Sequence, residues 1–267
     1  YEAGESLLDH AGIEAVVLAM PANVRTDLAV KAFARGLHVL IEKPIAMNSG
    51  EVHRLIAARD EAGVVAGCCC CRFRLLPSAG KVTDFVASTA LGPIRVLHCR
   101  AIRPGKAPSA SAPPVWRLRK DLNGGGIMSN WGCYDLDYLL GITGWQIRPR
   151  KVLARTWSVP GRYSALADPS SDAETYVAAT ILCEEGIAIH FERGEMMAAA
   201  ESLTWNLVGE NGSLDLQMTK GKKRFVRHEA SSETGLETDV FWEGEEDNAV
   251  ISYGPVTDFS DAILKEV

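Results

Sequence analysis

Two short segments of the sequence contain residue types that could move a proton. The tripeptide Glu42-Lys43-Pro44 follows the apolar run His38-Val39-Leu40-Ile41, which has the pattern of a buried parallel strand. Ligands of open α/β sheets bind beyond the carboxyl ends of the strands, so the charged pair is well placed to meet one. An amine and a carboxylate at that edge could bind a ligand or exchange a proton with it.

The second segment is a helix that opens with Gly124-Gly125-Gly126. Three glycines allow close backbone approach and leave N–H groups that could point at a ligand. Within the helix, Asn130, Tyr134 and Asp137 are spaced i, i+4 and i+7, which places all three on one face. Composition alone favours a solvent-facing stripe, whereas the glycines and the nearby Trp116-Arg117 favour a stripe that faces a substrate.

The elements before residue 72 have an alternating pattern. The runs Ala15 to Met20, His38 to Ile41 and Val64 to Cys71 are predicted to be strands buried on both faces. Helical stretches lie between them, and Asn48 with Glu51 predicts a capping box for the second one. Strand–helix–strand–helix–strand order with short connections indicates a parallel sheet.

After residue 72 strand-like runs follow one another, with Asn211-Gly212 as a turn signal between two of them. This order predicts a second, α+β unit with a large and mostly antiparallel open sheet. The acidic stretch Glu243 to Asp247 is expected to be a solvated loop. The strand-like runs are Ile94 to Arg100, Lys151 to Val159, Thr175 to Cys183, Ile187 to Arg193, Leu203 to Val208 and Ser213 to Met218.

Composition excludes several classes of protein. Hydrophobic residues make up 47% and charged residues 23% of the 267, as in globular proteins with a real core. The net charge of −6 argues against a nucleic-acid partner. No apolar run is long enough to cross a membrane and no secretory signal is present, so we expect a cytoplasmic protein.

Seven cysteines occur, and four of them are consecutive, Cys68 to Cys71. Zinc ligands usually come in pairs separated by two to four residues, and no second pair lies at a matching distance. We therefore expect no metal site, and we interpret the run as a buried strand of small hydrophobic residues in a reducing cytosol. A reactive thiol near a site and a zinc or redox protein are the alternatives.

Several motifs together resemble the glucose–fructose oxidoreductase / inositol dehydrogenase (Gfo/Idh/MocA) family, over essentially the whole chain. They have the order and approximate spacing of that family's motifs, which makes them more specific than any single one. These motifs are Ala19-Met20-Pro21, Glu42-Lys43-Pro44, Arg72-Phe73, Trp116-Arg117, Gly124 to Asp137 and Val208 to Leu214.

The resemblance implies an incomplete Rossmann-type domain over residues 1–72 and a substrate-binding and oligomerisation domain over residues 73–267. It implies an oxidoreductase that transfers a hydride between NAD or NADP and a sugar, a polyol or a related hydroxylated compound. Lys43 would contact both cofactor and substrate. The other implied cofactor contacts are Met20, Pro21, Glu42, Trp116 and Arg117, and the other implied substrate contacts are Asn130, Tyr134 and Asp137.

The implied chemistry places a substrate hydroxyl between Lys43 and Tyr134. Many members of the family have an aspartate and a histidine where this chain has Asn130 and Tyr134, and a tyrosine-containing sugar/dihydrodiol dehydrogenase branch resembles it best. We expect Tyr134 to take the proton, with the Lys43 ammonium lowering the phenol's pKa. A buried Lys43 could instead accept the proton itself, while Asn130 positions the substrate and Glu42 orients Lys43. Because Asn130 cannot carry the aspartate's charge, a non-catalytic dinucleotide-binding regulator of the same fold is the alternative.

Two further expectations follow from the resemblance. The family's Gly-x-Gly-x-x-Gly turn does not occur in this sequence, and Asp258 to Leu264 resembles the start of the family's last helical region. The chain is therefore interpreted as truncated at both ends, which leaves the choice between NAD and NADP open. An open sheet in the second domain needs a cover, so a homo-oligomer packed through that sheet is expected.

Overall fold

The first part of the chain folds into a sheet of three parallel strands. In the computed structural model, residues 4–106, 114–219 and 221–265 are described. The strands are β1 (Ala15–Leu18), β2 (His38–Ile41) and β3 (Ala66–Cys68), and they lie side by side in that order. Because parallel strands cannot be joined by a tight turn, a helix connects each neighbouring pair.

Three helices accompany this sheet: α1 (Gly4–Leu8), α2 (Arg25–Phe33) and α3 (Ser49–Ala62). The predicted cap of α3 is present, since the Asn48 side chain accepts a hydrogen bond from Glu51 N at 3.0 Å. The Glu51 carboxylate accepts from Met47 N at 3.0 Å, so the reciprocal bond of the capping box goes to the residue before the cap.

Two strand predictions in this part are wrong. β1 is buried on one face only, with Val17 53% exposed, because no helix among the described residues covers its other face. β3 ends at Cys68, and Cys69–Phe73 forms a 3₁₀ turn that leads the chain away from the sheet. Most of the cysteine run therefore lies in a turn, where Arg72 Nε donates to Cys69 O at 3.0 Å.

The second part is built on an eight-stranded sheet. Neighbouring strands pair in antiparallel fashion except for one parallel pair at its centre, formed by the first and fourth strands along the chain. The strands are β4 (Ile94–Pro104), β5 (Pro149–Trp157), β6 (Tyr176–Cys183), β7 (Ala188–Met197), β8 (Ser202–Gly209), β9 (Gly212–Leu216), β10 (Lys222–Ser231) and β11 (Gly235–Glu245).

The spatial order of this sheet is β11-β10-β9-β8-β4-β7-β6-β5. The predicted fold class, a small parallel sheet followed by a large and mostly antiparallel one, is confirmed. The expectation of a solvated loop at Glu243 to Asp247 is wrong, because β11 runs to Glu245 and Glu246 is buried. The Glu246 carboxylate pairs with Lys223 Nζ at 2.7 Å, which allows the lysine to occupy an inward position on β10.

The remaining α-helices of the described residues are α4 (Pro77–Ala87), α5 (Lys120–Asn123), α6 (Cys133–Ile142) and α7 (Ala249–Leu264), and α7 packs against β3 and the 3₁₀ turn that follows it. The core lies between the sheet and helices α4 and α6. On the opposite face Leu153 is 80% exposed, so the sheet is open there among the described residues. Side chains that fill the core include Leu97, Tyr138, Leu139, Ile189, Trp205 and Phe225.

The helices of the described residues share one further property. None of those in residues 4–106, 114–219 and 221–265 combines the length and the apolarity that a membrane crossing would require.

Candidate active site

Lys43 leaves the tip of β2 and reaches across to the helical segment of the second part. Its Nζ donates to Asn130 O at 3.0 Å and to Asn130 Oδ1 at 2.7 Å. Burial lowers the pKa of the Lys43 amine, because the charged form loses hydration, and the neighbouring Cys133 and Glu42 oppose this shift only in part. A lysine with a lowered pKa gives up its proton more readily than a solvated one.

Tyr134 packs directly against this amine. Lys43 Nζ lies 5.2 Å from the centroid of the Tyr134 ring, and the Phe73 ring meets the same ring edge-on at 5.2 Å. Burial raises the pKa of the Tyr134 phenol well above its ordinary range, and the Arg72 guanidinium offsets only part of that rise. The expectation that a nearby ammonium makes the phenolate accessible is therefore wrong, because burial among rings outweighs the attraction.

Among the described residues, the Glu42 carboxylate hydrogen-bonds to the Lys43 backbone and to Arg72, and not to the Lys43 head group. Its Oε1 accepts from Arg72 Nη2 at 2.5 Å, and its Oε2 accepts from Lys43 N at 3.0 Å. The carboxylate thus joins the turn after β2 to the 3₁₀ turn that contains Arg72. Neither contact involves the Lys43 ammonium, which hydrogen-bonds to Asn130, so an orienting role of Glu42 would act through the Lys43 backbone.

Asp137 is placed apart from the other two polar residues of the helix. Its carboxylate accepts from Arg74 Nε at 2.7 Å, and it lines a cavity of about 260 Å³ together with Cys71 and Phe259. A largely buried carboxylate needs a cationic partner, and Arg74 supplies it from outside the helical pattern. The three residues therefore do not share one ligand-facing stripe: Asn130 and Tyr134 face Lys43, and Asp137 faces Arg74.

The glycine run packs against other segments of the protein, through the side chain and backbone of Glu174 and through the backbone of Met47. Gly126 N and Met128 N donate to Glu174 Oε1 at 2.9 and 3.2 Å, and Ile127 N donates to Glu174 O at 2.8 Å. Gly124 N donates to Lys120 O at 2.9 Å, so two of the three glycine N–H groups bond within the protein, contrary to the expectation that they point at a ligand. On the other side, Gly124 lies against the loop after β2, where an added Cβ would come within 2.9 Å of Met47 O.

We expect Gly126→Ala to destabilise the protein. A Cβ at this position would lie 1.8 Å from Glu174 O, so the backbone must move. The expected loss is about 1–3 kcal/mol of unfolding free energy, which chemical denaturation measures. Gly80→Ala is the matched control, since nothing lies within 4 Å of its added Cβ and it should stabilise helix α4 by about 0.5–1 kcal/mol. Equal effects of the two changes would contradict the close approach.

The remaining predicted cofactor contacts lie on two turns. Met20 and Pro21 follow β1 at the same edge of the sheet as Lys43. Trp116 and Arg117 lie on the 3₁₀ turn Val115–Leu118, where Trp116 is partly exposed and Arg117 forms an ion pair with Glu195. This turn contacts α5, and α5 in turn contacts the short helical turn after Pro21.

Three residues that the sequence did not indicate as functional hold the segments around Lys43 in place. Arg25 and Arg72 bind the turn after β2, and Glu174 binds the glycine run. Arg25 has one signal in the sequence, since a cation in the first turn of a helix opposes the helix dipole. Glu174 has none, because its partners lie 46 to 48 residues away along the chain. In the part of the chain that the structure describes, no three histidine, cysteine or acidic side chains are arranged to hold a metal ion.

Two family models match this chain. The model of the oxidoreductase family with an NAD-binding Rossmann fold matches residues 1–68, and the GFO/IDH/MocA C-terminal domain matches residues 80–215. Among curated proteins, dTDP-3,4-didehydro-2,6-dideoxy-alpha-D-glucose 3-reductase of Streptomyces violaceoruber is 27% identical over 217 residues. That alignment covers 80% of this chain and 57% of the reductase, so the chain spans less than two thirds of its relative's length.

Solved structures of the same fold cover nearly the whole chain. Levoglucosan dehydrogenase in complex with NADH and L-sorbose superposes with a TM-score of 0.80 at 18% identity, over 99% of this chain and 74% of the dehydrogenase. Aldose-aldose oxidoreductase from Caulobacter crescentus, complexed with glycerol, gives a TM-score of 0.77 at 20% identity, over 100% and 73% of the two chains. With its two sheets in this arrangement and with both family models matched in sequence, the chain belongs to the GFO/IDH/MocA family of oxidoreductases.

Proposed function

We propose that the intact protein transfers a hydride between a nicotinamide cofactor and a sugar or a related hydroxylated compound. Residues 1–72 would contribute to the cofactor site and residues 73–267 would bind the substrate. The observation that supports this most is that a half-buried lysine after β2 meets an amide and a phenol ring from the helical segment of the second part. The names of the relatives, a dehydrogenase and a reductase of sugars, agree with a carbohydrate substrate.

The residues at the sheet edge fit the nicotinamide end of a dinucleotide. The backbone after β1 and β2 is fixed there, and Lys43 has taken only two of its three N–H donors among the contacts of the described residues. Met20, Pro21 and Lys43 would contact the nicotinamide end, with Trp116 and Arg117 across from them. When bound, this group supplies the acceptor and donor of the hydride.

In this proposal Lys43 handles the proton. As the substrate alcohol is oxidised, its hydroxyl proton passes to the neutral Lys43 amine, and in the reverse direction the ammonium returns it. Burial supports this role because it lowers the pKa of Lys43, whereas the raised pKa of Tyr134 keeps the phenol protonated. Tyr134 then acts as a hydrogen-bond donor to the substrate oxygen, and Asn130 holds the amine in place.

Tyr134→Phe tests the division of labour between the phenol and the amine. We expect kcat/KM to fall by about tenfold, which is the effect of one lost hydrogen bond, without removal of the pH dependence. Tyr138→Phe is the matched control on the same helix, since its hydroxyl is buried without a partner among the described residues. If Tyr134→Phe abolished turnover at every pH, the phenol would be the base and Lys43 would not.

Asn130→Asp tests the charge next to the amine. A carboxylate 2.7 Å from Lys43 Nζ favours the ammonium and raises the pKa of Lys43. Because the base must be neutral, activity rises with pH through that pKa, so this limb of the pH–rate profile should move to higher pH by about one to two units. Asn248→Asp, an exposed change of the same kind, should leave the limb in place. A limb that stays or moves down would contradict the assignment.

The proposed activity itself is tested with a panel of sugars and polyols and with both NAD and NADP. Reduction of either cofactor by the intact protein supports the dehydrogenase. Tight cofactor binding without turnover on any substrate of the panel would favour the non-catalytic regulator that Asn130 permits.

We further propose that the open face of the large sheet packs against a second copy of the chain in the cytoplasm. Exposed Leu153 on β5 and a shallow depression of about 610 Å³, lined by Arg100, His190 and Glu192, support a contact there. All seven cysteines are free thiols, which agrees with a reducing compartment. Sedimentation velocity tests this proposal. Wild type should form a dimer or a larger assembly and Leu153→Glu should be a monomer, whereas a monomeric wild type would contradict the contact.

A further inference from the structure

Arg25 occupies an unusual position for an arginine. It is the first residue of α2, and it is only 2% exposed. A cation in the first turn of a helix faces the positive end of the helix dipole, and a fully buried arginine is rare unless it is paired. Burial lowers the pKa of its guanidinium, with Glu42 opposing that shift. Such a placement requires strong compensating contacts.

Among the described residues, the acceptors of the Arg25 side-chain hydrogen bonds are backbone carbonyl oxygens. Arg25 Nε donates to Met20 O, Nη1 donates to Glu42 O and to Pro44 O, and Nη2 donates to Lys43 O at 3.3 Å. Three of these oxygens are consecutive and belong to the turn after β2, and the fourth belongs to the turn after β1. One planar group therefore ties together the two turns at the carboxyl edge of the sheet.

We propose that Arg25 is a positioning residue that holds the Lys43 backbone and the Met20 turn in one fixed arrangement. The inference deepens the proposed function and rests on it, because Lys43 is there the proton acceptor. Arg25 acts through the carbonyls of residues 42 to 44 and touches neither substrate nor cofactor. Its contribution is to keep the Lys43 amine directed at Asn130 while substrate and cofactor exchange.

The chemistry of the guanidinium explains why another cation would not serve. Its five N–H donors lie in one plane and are directed at fixed angles, so it can bind four carbonyls of two turns at once. A lysine has three donors on a flexible stem and carries the same charge. Arg25→Lys therefore keeps the charge and removes the planar array, which separates geometry from electrostatics.

The test compares Arg25→Lys with Arg54→Lys in the intact protein. Arg54 is the matched control, because it lies on α3 in an exposed ion pair with Asp27. We expect Arg25→Lys to lower kcat by about 10- to 100-fold and to change the KM of the sugar less than about threefold, since misplacement of a catalytic group acts mainly on turnover. The pH–rate limb of Lys43 should move up, because a loosened amine regains hydration.

A second readout does not depend on activity. Titration of the Lys43 Nζ by NMR, with side-chain carbon labelling of lysine and Lys43→Met to assign the signal, should give a higher pKa in Arg25→Lys than in wild type. If the proposed function is wrong but Arg25 does position Lys43, wild type will be inactive and the pKa of Lys43 will still differ between wild type and Arg25→Lys. The inference itself is overturned by an unchanged kcat with an unchanged Lys43 titration, or by an Arg25→Lys protein that does not fold, since Arg25 would then support the whole first part.

Discussion

Lys43→Met should reduce kcat/KM for sugar oxidation by about 100- to 10,000-fold, which is the usual contribution of a positioned general base. The substitution keeps most of the unbranched side chain and removes the amine to which the proposal assigns the proton. The amine lies 2.7 Å from Asn130 Oδ1 and 5.2 Å from the Tyr134 ring centroid, and the thioether of methionine reproduces neither contact. Steady-state kinetics over a range of pH measures the effect.

The control for this prediction is Lys81→Met, which changes an exposed lysine of α4. It should leave kcat/KM unchanged. Circular dichroism and thermal unfolding show whether Lys43→Met keeps its fold. A folded Lys43→Met protein with kcat/KM within about threefold of wild type would remove Lys43 from the chemistry, because a general base contributes at least about a hundredfold.

Asp135→Ala should cost about 3–5 kcal/mol of unfolding free energy, because it leaves a buried charge without its partner. Asp135 Oδ1 accepts from Arg193 Nη1 at 3.2 Å and from Trp205 Nε1 at 3.0 Å, and the side chains of Asp135 and Arg193 are 0% and 1% exposed. The Arg193 guanidinium also lies 4.7 Å from the centroid of the Trp131 ring. This pair fastens the helix of Tyr134 to β7.

Two comparisons sharpen the second prediction. Asp239→Ala breaks an exposed pair with Arg227 and should cost at most about 1 kcal/mol. The double change Asp135→Leu with Arg193→Met removes both charges and should recover most of the lost stability, since apolar replacements of a buried pair are often neutral. Urea unfolding gives all three values. A loss below about 1 kcal/mol in Asp135→Ala would mean that water reaches Arg193, contrary to its burial.

Burial also acts on the protonation of this pair. The pKa of Asp135 is raised to about 6, because desolvation exceeds the attraction of Arg193 and the hydrogen bond of Trp205. A carboxyl group whose folded pKa lies above its unfolded value contributes stability that is present at low pH and is lost as pH rises through about 6. The ion pair therefore positions the helix at some cost to stability near neutral pH.

Local sequence patterns correctly predicted the strand and the helical segment that position the candidate site residues. The run His38 to Ile41 is β2 with the same bounds, and Lys43 follows it at the edge of the sheet. The four-residue spacing of Asn130 and Tyr134 places both beside Lys43. These features depend on residues close in sequence, where apolar periodicity and strand direction are sufficient.

Features that depend on distant partners could not be predicted. Asp137 follows the same helical spacing as Tyr134, but Arg74, which is 63 residues away, binds it. β10 was missed because Lys223 occupies an inward position, which hides the apolar alternation until its pairing with Glu246 is known. The N–H groups of the glycine run were predicted to bind a ligand, because nothing near them in the sequence indicates that Glu174 accepts a hydrogen bond there.

The central claim is that this site passes a hydride from a sugar carbon to nicotinamide while Lys43 takes the proton. Sugars and polyols deuterated at their carbinol carbons, incubated with the intact protein and oxidised cofactor, test it directly by mass spectrometry of the nicotinamide ring. Our account predicts that deuterium enters the ring with wild type and does so at least about a hundredfold more slowly with Lys43→Met. Deuterium transfer at equal rates in both proteins, or reduced cofactor that carries none, would contradict it.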